Sequence, residues 1–381
     1  MDFAPTEEQA LLKGAVAGLL SARYAFSDRV AASRAEPGFR ADIWRALAID
    51  LGLAGMAVTE ASGGLGRAFA DQMVVMEEMG RALVIEPLAE TCFLAAPLLE
   101  RAGGPAAQAL LPRILAGEAR VALAFEEPDM RSEFADIGLA AVAVDGGWRL
   151  NGAKSVVTTA PWADHLIVAA RTAGQRGDET GLSLFLVPVN APGLKLNAYP
   201  TIDGRRAADL AFENVHAAGD ALPGAANEAL PLLEWVRDHA IVLQAAEATG
   251  LLERLLSDTI AYCQERKQFG KRLSSFQALQ HRMVDMYLQV EQVRSAAMFA
   301  ALRLEASPRE RAAAASTAKV TVANACRFVG QNAVQLHGGM GMTDELPIGH
   351  YFKRATVIET EHGRADWHLQ RHMRLMPGRA A

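Results

Sequence analysis

The residue types that can do chemistry are unevenly spread along this chain of 381 residues, and most fall in its last third. Arg266-Lys267-Gln268-Phe269-Gly270 sets cations beside an aromatic ring, Phe276-Gln277-Ala278-Leu279-Gln280-His281 follows, and Gln335-Leu336-His337-Gly338-Gly339-Met340-Gly341-Met342 is rich in glycine. Taken singly each has an ordinary use: Arg266 at a helix carboxyl end, Phe269 in a core, Gly338-Gly339 as a turn. Glu247 lies on the apolar face Leu243-Ala246-Gly250. A carboxylate there needs a partner or a task, and a structural ion pair is the commoner outcome. Glu361-His362-Gly363-Arg364 places a carboxylate beside an imidazole whose titration near neutrality suits proton transfer.

Other signatures fail on spacing. Gly147 to Ser155 resembles a phosphate loop, but its Lys154 comes one residue late and the segment reads as a β-hairpin. There is no G-x-S-x-G elbow, no H-E-x-x-H, and no G-x-G-x-x-G after a strand, so serine hydrolase, zinc protease and dinucleotide-fold readings lack their carriers. Cys92, Cys263 and Cys326 are far apart, form no C-x-x-C pair and read as small buried hydrophobes; no metal is expected. With 38 Lys and Arg against 44 Asp and Glu, a net charge of -6 offers no footprint for nucleic acid. The acidic start Met1-Asp2-Phe3-Ala4-Pro5-Thr6-Glu7-Glu8 is unlike a secretory or transit signal, no apolar run is long enough to span a bilayer, and a cytoplasmic location is expected.

The elements that must position these residues fall into three parts. Residues 1–118 read as a helical domain: Thr6 and Gln9 have capping-box spacing, and helical periodicity covers Ile43 to Leu51, Phe69 to Leu83, Thr91 to Arg101 and Ala106 to Leu115. Residues 119–222 change to short β-type runs separated by turn signals such as Asp145-Gly146-Gly147, which predicts a small antiparallel β-domain. From 223 to 381 the helical period returns, with four long helices predicted at Leu230 to Arg266, Phe276 to Glu305, Arg309 to Leu336 and Pro347 to Arg371. The fold class is thus α+β and mostly α: helical domain, β-domain, four-helix bundle. The apolar stripe Ala314, Ala318, Val322, Ala325 and Val329 suits a further subunit contact or simply a buried helix.

Together with Asn151-Gly152-Ala153-Lys154 and Asp209-Leu210-Ala211-Phe212-Glu213-Asn214-Val215, the carboxy-terminal motifs resemble the landmarks of the acyl-CoA dehydrogenase family, in the family's order and over essentially the whole chain. The resemblance implies FAD. Arg266, Gln268, Phe269, Gln277, Gln335 and the Gly338-Gly339 backbone are its implied contacts, reaching a neighbouring subunit's flavin, because a pyrophosphate and adenine need a fixed cation, an apolar platform and close backbone approach. In the middle domain the family's Thr-Glu-Pro and Gly-x-Gly-Ser-Asp run reads Glu126-Glu127-Pro128-Asp129-Met130-Arg131-Ser132-Glu133, keeping Pro128 and Ser132 but not the glycines. The usual Trp-Ile-Thr is Val156-Val157-Thr158, leaving Thr158 as implied donor to the flavin ring.

In this family, desaturating an acyl thioester requires a base for the α-proton, normally the glutamate of a Tyr-Glu-Gly-Thr sequence. His362 aligns there, with Glu361 before it. The alternative base position on the first long helix aligns with Ala240, with Glu247 nearby. The candidate bases are therefore His362, Glu361 and Glu247. The pattern resembles the small subunit of heteromeric acyl-CoA dehydrogenases, such as those of pimeloyl-CoA. It implies an acyl-CoA substrate, a second dehydrogenase-like subunit, a tetramer of one or two kinds of chain, and electron-transfer flavoprotein or a similar acceptor. A non-catalytic scaffolding subunit and a self-sufficient homotetramer with a displaced base are the alternatives.

Overall fold

A computed structural model describes residues 4–376; Met1, Asp2 and Phe3 of the acidic start, and residues 377–381 at the end of the expected third domain, lie outside the described residues. The chain opens with α1 (Glu7–Arg23), whose Thr6 and Gln9 form the reciprocal capping box that their spacing predicts. There follow α2 (Phe26–Arg34), α3 (Ala41–Arg45, running into a π-turn at Ala46–Asp50), α4 (Phe69–Ala82), a π-helical stretch Ala89–Ala95 continued by α5 (Ala96–Ala102), and α6 (Pro105–Leu115). Then come seven strands: β1 (Val121–Ala124), β2 (Ala140–Val144), β3 (Gly147–Thr158), β4 (His165–Arg171), β5 (Leu182–Pro188), β6 (Leu194–Pro200) and β7 (Arg206–Ala218). The last region holds α7 (Leu230–Glu265), the two-residue strands β8 (Lys267–Gln268) and β9 (Lys271–Arg272), α8 (Gln277–Ala301), α9 (Pro308–His337), α10 (Pro347–Thr360) and α11 (Ala365–Leu375).

The chain packs into two compact units that cut across its order. One comprises residues 4–29, 69–84 and 238–376; the other comprises 30–68 and 85–237. The second is built on one sheet in which β2, β3, β7 and β6 pair antiparallel in turn and β5 pairs antiparallel with β4. The sheet is not purely antiparallel, because β1 pairs parallel with β4. Its core is Leu150, Leu166, Val168, Phe185, Leu210, Phe212 and their neighbours. Asp145-Gly146 forms the predicted tight hairpin, with Gly146 at φ 78°. Lys154, in the phosphate-loop look-alike, sits inside β3 and donates to the Phe125 carbonyl and the Glu127 carboxylate, 3.1 and 2.8 Å.

The first unit is helical. Its expected fourth long helix is two: α10 stops at Thr360 and α11 starts at Ala365. The break is local in cause. His362 has φ 58° and Gly363 φ 106°, conformations that cannot continue a right-handed helix. Helices α4 and α7 cross closely, since a Cβ on Gly80 would stand 2.0 Å from the Glu247 carbonyl oxygen and one on Gly250 would stand 1.8 Å from that of Glu77. Glycine at both positions is what permits that approach.

Candidate functional site

The residues singled out from sequence fall on three separate structures. At the end of α7, β8 and β9 form a two-residue hairpin whose turn residues Phe269 and Gly270 have φ 54° and 79°, the signature of a type I′ turn. A phenylalanine there is strained, and it is 90% exposed. Arg266, Gln268, Lys271, Arg272 and Gln277 are exposed with it. Nearby, the His337 ring stacks on Tyr262 at 4.3 Å, and the Tyr262 hydroxyl donates to the His337 carbonyl. That contact pins the end of α9 to the end of α7 and brings Gln335, Gly338 and Gly339 to the hairpin's end of the unit. A Cβ on Gly338 or Gly339 would meet nothing within 4 Å, so these glycines leave a cradle open to the outside and do not serve internal packing. Exposed guanidinium groups, an aromatic face, amide donors and an open glycine backbone form a donor set that fits the pyrophosphate and adenine of FAD.

Thr158 and Ser132 belong to the other unit. Thr158 ends β3, half-buried and paired with Ala207. Ser132 has φ 65°, and its carbonyl accepts from Arg237, whose guanidinium lies 4.1 Å from the Phe134 ring centroid. Glu127 accepts from the Gly138 and Leu139 backbone as well as from Lys154. Burial alone would raise this carboxyl, but the Lys154 charge and these hydrogen bonds hold it below its ordinary range. Burial brings Lys154 down to about 8.

The three candidate bases meet around the helix break. Arg354 of α10 makes a bidentate pair with Glu247 of α7, Nε to Oε1 and Nη2 to Oε2 both at 2.7 Å, and its Nη1 donates to Glu361 at 3.1 Å. Glu361 also accepts from Gln244 at 2.6 Å, and Gln244 accepts from Lys319, which donates as well to the Ile358 carbonyl. Arg354, Glu247, Gln244 and Lys319 are all buried. Burial lowers the Lys319 ammonium to about 8 and raises the Cys326 thiol to about 12. The other side of the break is held through His368, which donates from Nε2 to the His362 carbonyl at 2.9 Å. Its Nδ1 lies 3.1 Å from the Ser316 hydroxyl. Arg371 joins Ser316 to Asp238, which also takes Arg311. His362 is half-buried and in a left-handed conformation fixed from both flanks.

Sequence reasoning did not find Arg354, Gln244, Lys319 or His368. Lys319 offered the one visible signal, a cation next to the small-residue stripe that holds Ala318 and Val322. Among the described residues no His, Cys, Asp and Glu cluster could hold a metal, and no helix is long and apolar enough to cross a membrane.

Sequence models of the acyl-CoA dehydrogenase amino-terminal, middle and carboxy-terminal domains match residues 6–118, 122–215 and 235–376. The chain belongs to the acyl-CoA dehydrogenase family, the flavin-dependent oxidoreductases of acyl-CoA β-oxidation, and its cofactor is FAD. Acyl-CoA dehydrogenase IpdE2 of Mycobacterium tuberculosis is 31% identical over 351 residues, 92% of each chain. Among solved structures, the Tcur3481-Tcur3483 steroid ACAD G363A variant superposes with TM-score 0.87 at 33% identity over 97% of both chains. The ChsE4-ChsE5 complex from Mycobacterium tuberculosis superposes with TM-score 0.89 at 27% identity over the full length of both.

Proposed function

We propose that this chain is one subunit of a two-component acyl-CoA dehydrogenase, which removes the α-proton and β-hydride of an acyl-CoA thioester to give the 2-enoyl thioester. The observation that carries this reading is the capture of both carboxylates by one guanidinium. Glu247 has both carboxylate oxygens in the buried bidentate pair with Arg354, and Glu361 accepts from Arg354 and Gln244 at one oxygen, so both carboxylates are committed to holding the helix break. His362 stands at the family's base position, and the glutamate is assigned to the second subunit. Two of the structures similar to this chain are themselves named as pairs of chains.

Bound FAD supplies the acceptor for the hydride. On this chain Arg266, with Gln268, Gln277 and Gln335, holds the dinucleotide's phosphates, Phe269 packs on its rings, and Gly338 and Gly339 admit it. Thr158 and Ser132 are assigned to the flavin ring, although Glu126, Asp129 and Glu133 around Ser132 disfavour a phosphate there. The flavin is therefore assigned to a site completed by the second chain, with an electron-transfer flavoprotein or similar carrier reoxidising it.

The test is co-expression with a family member that retains its glutamate, followed by gel filtration and flavin analysis. A mixed complex holding one FAD per pair of unlike chains agrees with the proposal. A homotetramer holding one FAD per copy and turning over acyl-CoA by itself overturns it.

A further inference from the structure

Arg29 of α2 is only 2% exposed, and its guanidinium donates through Nε to the Leu83 carbonyl at 3.0 Å. Its Nη1 lies 3.3 Å from Nδ1 of His350, a buried residue near the start of α10 whose ring also meets Phe26 edge to face at 5.0 Å. A guanidinium can only donate, so Nδ1 must offer its lone pair and the proton of the neutral ring sits on Nε2. That N–H donates to the Asp344 carbonyl at 3.4 Å. Arg29 thus sets the tautomer on one side of the ring, and the loop before α10 uses it on the other.

This loop begins with the tight turn Gly338–Met342. A Cβ on Gly341 would stand 2.9 Å from the Val334 carbonyl oxygen, so the turn lies directly on α9, and the Thr343 hydroxyl donates to the Met340 carbonyl at 3.0 Å. The far side of the loop is tied to α10 through Asp344. The buried His350 holds its carbonyl, and the exposed Lys353 reaches its carboxylate at 3.3 Å. The charged groups facing the ring are Arg29 from α2, Lys353 from α10 and Asp344 from the loop. Burial, with Arg29 and Lys353, holds the imidazole below the ordinary histidine range against the opposing pull of Asp344. A protonated ring donates from both nitrogens, so Nδ1 would turn an N–H and a positive charge on Arg29. The carboxylate within reach is that of Asp344, whose Oδ1 is 3.9 Å from Nε2. Protonation therefore exchanges a grip on the loop's backbone for one on an exposed side chain.

We propose that His350 is a positioning residue for the dinucleotide: its neutral ring, oriented by Arg29, fixes the loop that carries Gly338 and Gly339, and protonating it loosens the hold on FAD. This rests on the reading above in which those two glycines admit FAD. The neutral ring and bound flavin then favour one arrangement of the loop, so flavin and the proton oppose each other.

The experiment is equilibrium dialysis of FAD against the assembled two-chain enzyme between about pH 5.5 and 8, the range in which a histidine changes charge. For the parent, Kd should rise about fivefold as the pH falls through that range. His350→Gln keeps both contacts in uncharged form, its amide oxygen accepting from Arg29 and its amide nitrogen donating to the Asp344 carbonyl. Its affinity should match the parent's at the alkaline end and stay within about twofold throughout. Two exposed substitutions should move the midpoint of the parent's profile in opposite directions, Lys353→Met upward and Asp344→Asn downward, and they serve should His350→Gln misfold. A flat parent profile, a slope that survives in His350→Gln, or a midpoint indifferent to both charge changes would each overturn the assignment. Arg266→Ala in the same dialysis separates the two readings. Weakened retention there beside a flat parent profile removes this inference alone, whereas unchanged retention in Arg266→Ala removes the flavin-contact reading with it.

Discussion

The hairpin at Phe269 and the helix break at His362 lie in the same unit, and each holds a non-glycine residue at positive φ. Their surroundings differ completely. Phe269 is strained by a two-residue turn and faces outward among exposed cations, and its edge-to-face contact with Phe276 at 6.3 Å leaves it 90% exposed, so its own unit offers the strain little compensation. His362 is held from within, by Glu361 against Arg354 and Gln244 on one flank and by its carbonyl against His368 on the other. Strain whose compensation is missing from the chain points to a surface completed by another molecule; strain over-determined by a buried network points to a shape the chain maintains for itself.

The largest expected effect tests the inner network. Arg354→Met leaves Glu247 and Glu361 without their cation, and urea denaturation should show a loss of about 3–5 kcal/mol. The double variant Arg354→Met with Glu247→Met should recover most of it. On the outer site, Arg266→Ala should weaken flavin retention by about 1.5–3 kcal/mol, read by equilibrium dialysis of the assembled enzyme, with the melting temperature of the flavin-free protein unchanged because the side chain is exposed.

A third effect depends on pH. Lys319 titrates at about 8 in the fold against an ordinary 10.5, so between those values the unfolded chain binds more protons and stability rises with pH. Below about 8 the penalty for burying the charge is fully present. The stability difference between the parent and Lys319→Met should therefore change, in the parent's favour, by up to about 1.4 kcal/mol per pH unit across that window and level off on either side. The smallest effect compares the two strained residues directly. His362→Gly should be more stable than His362→Ala by about 1 kcal/mol, and Phe269→Gly than Phe269→Ala by a similar amount, in parallel melts.

Periodicity and turn chemistry made the architecture legible. The Thr6-Gln9 cap, the Asp145-Gly146 hairpin and the long helices α7, α8 and α9 all follow from local patterns. What local pattern cannot carry is the break at Glu361 to Gly363, because residues 347–371 keep a helical period through it and the left-handed turn is imposed by partners far away in sequence: Gln244, Ser316 and Asp238. The parallel pairing of β1 with β4 is likewise a non-local choice. The exposed run Arg266 to Gly270 was legible as residue types and spacing, whereas the network of Arg354, Gln244 and Lys319 was not, since its partners lie far apart in sequence.

The most direct test of the central claim is the visible absorption spectrum of this chain, purified alone and then with its glutamate-bearing partner, followed anaerobically as acyl-CoA is added. The account predicts little or no flavin absorbance for the chain alone and, for the pair, a bound flavin that bleaches with substrate. A chain that by itself carries stoichiometric flavin and bleaches on adding acyl-CoA would contradict it.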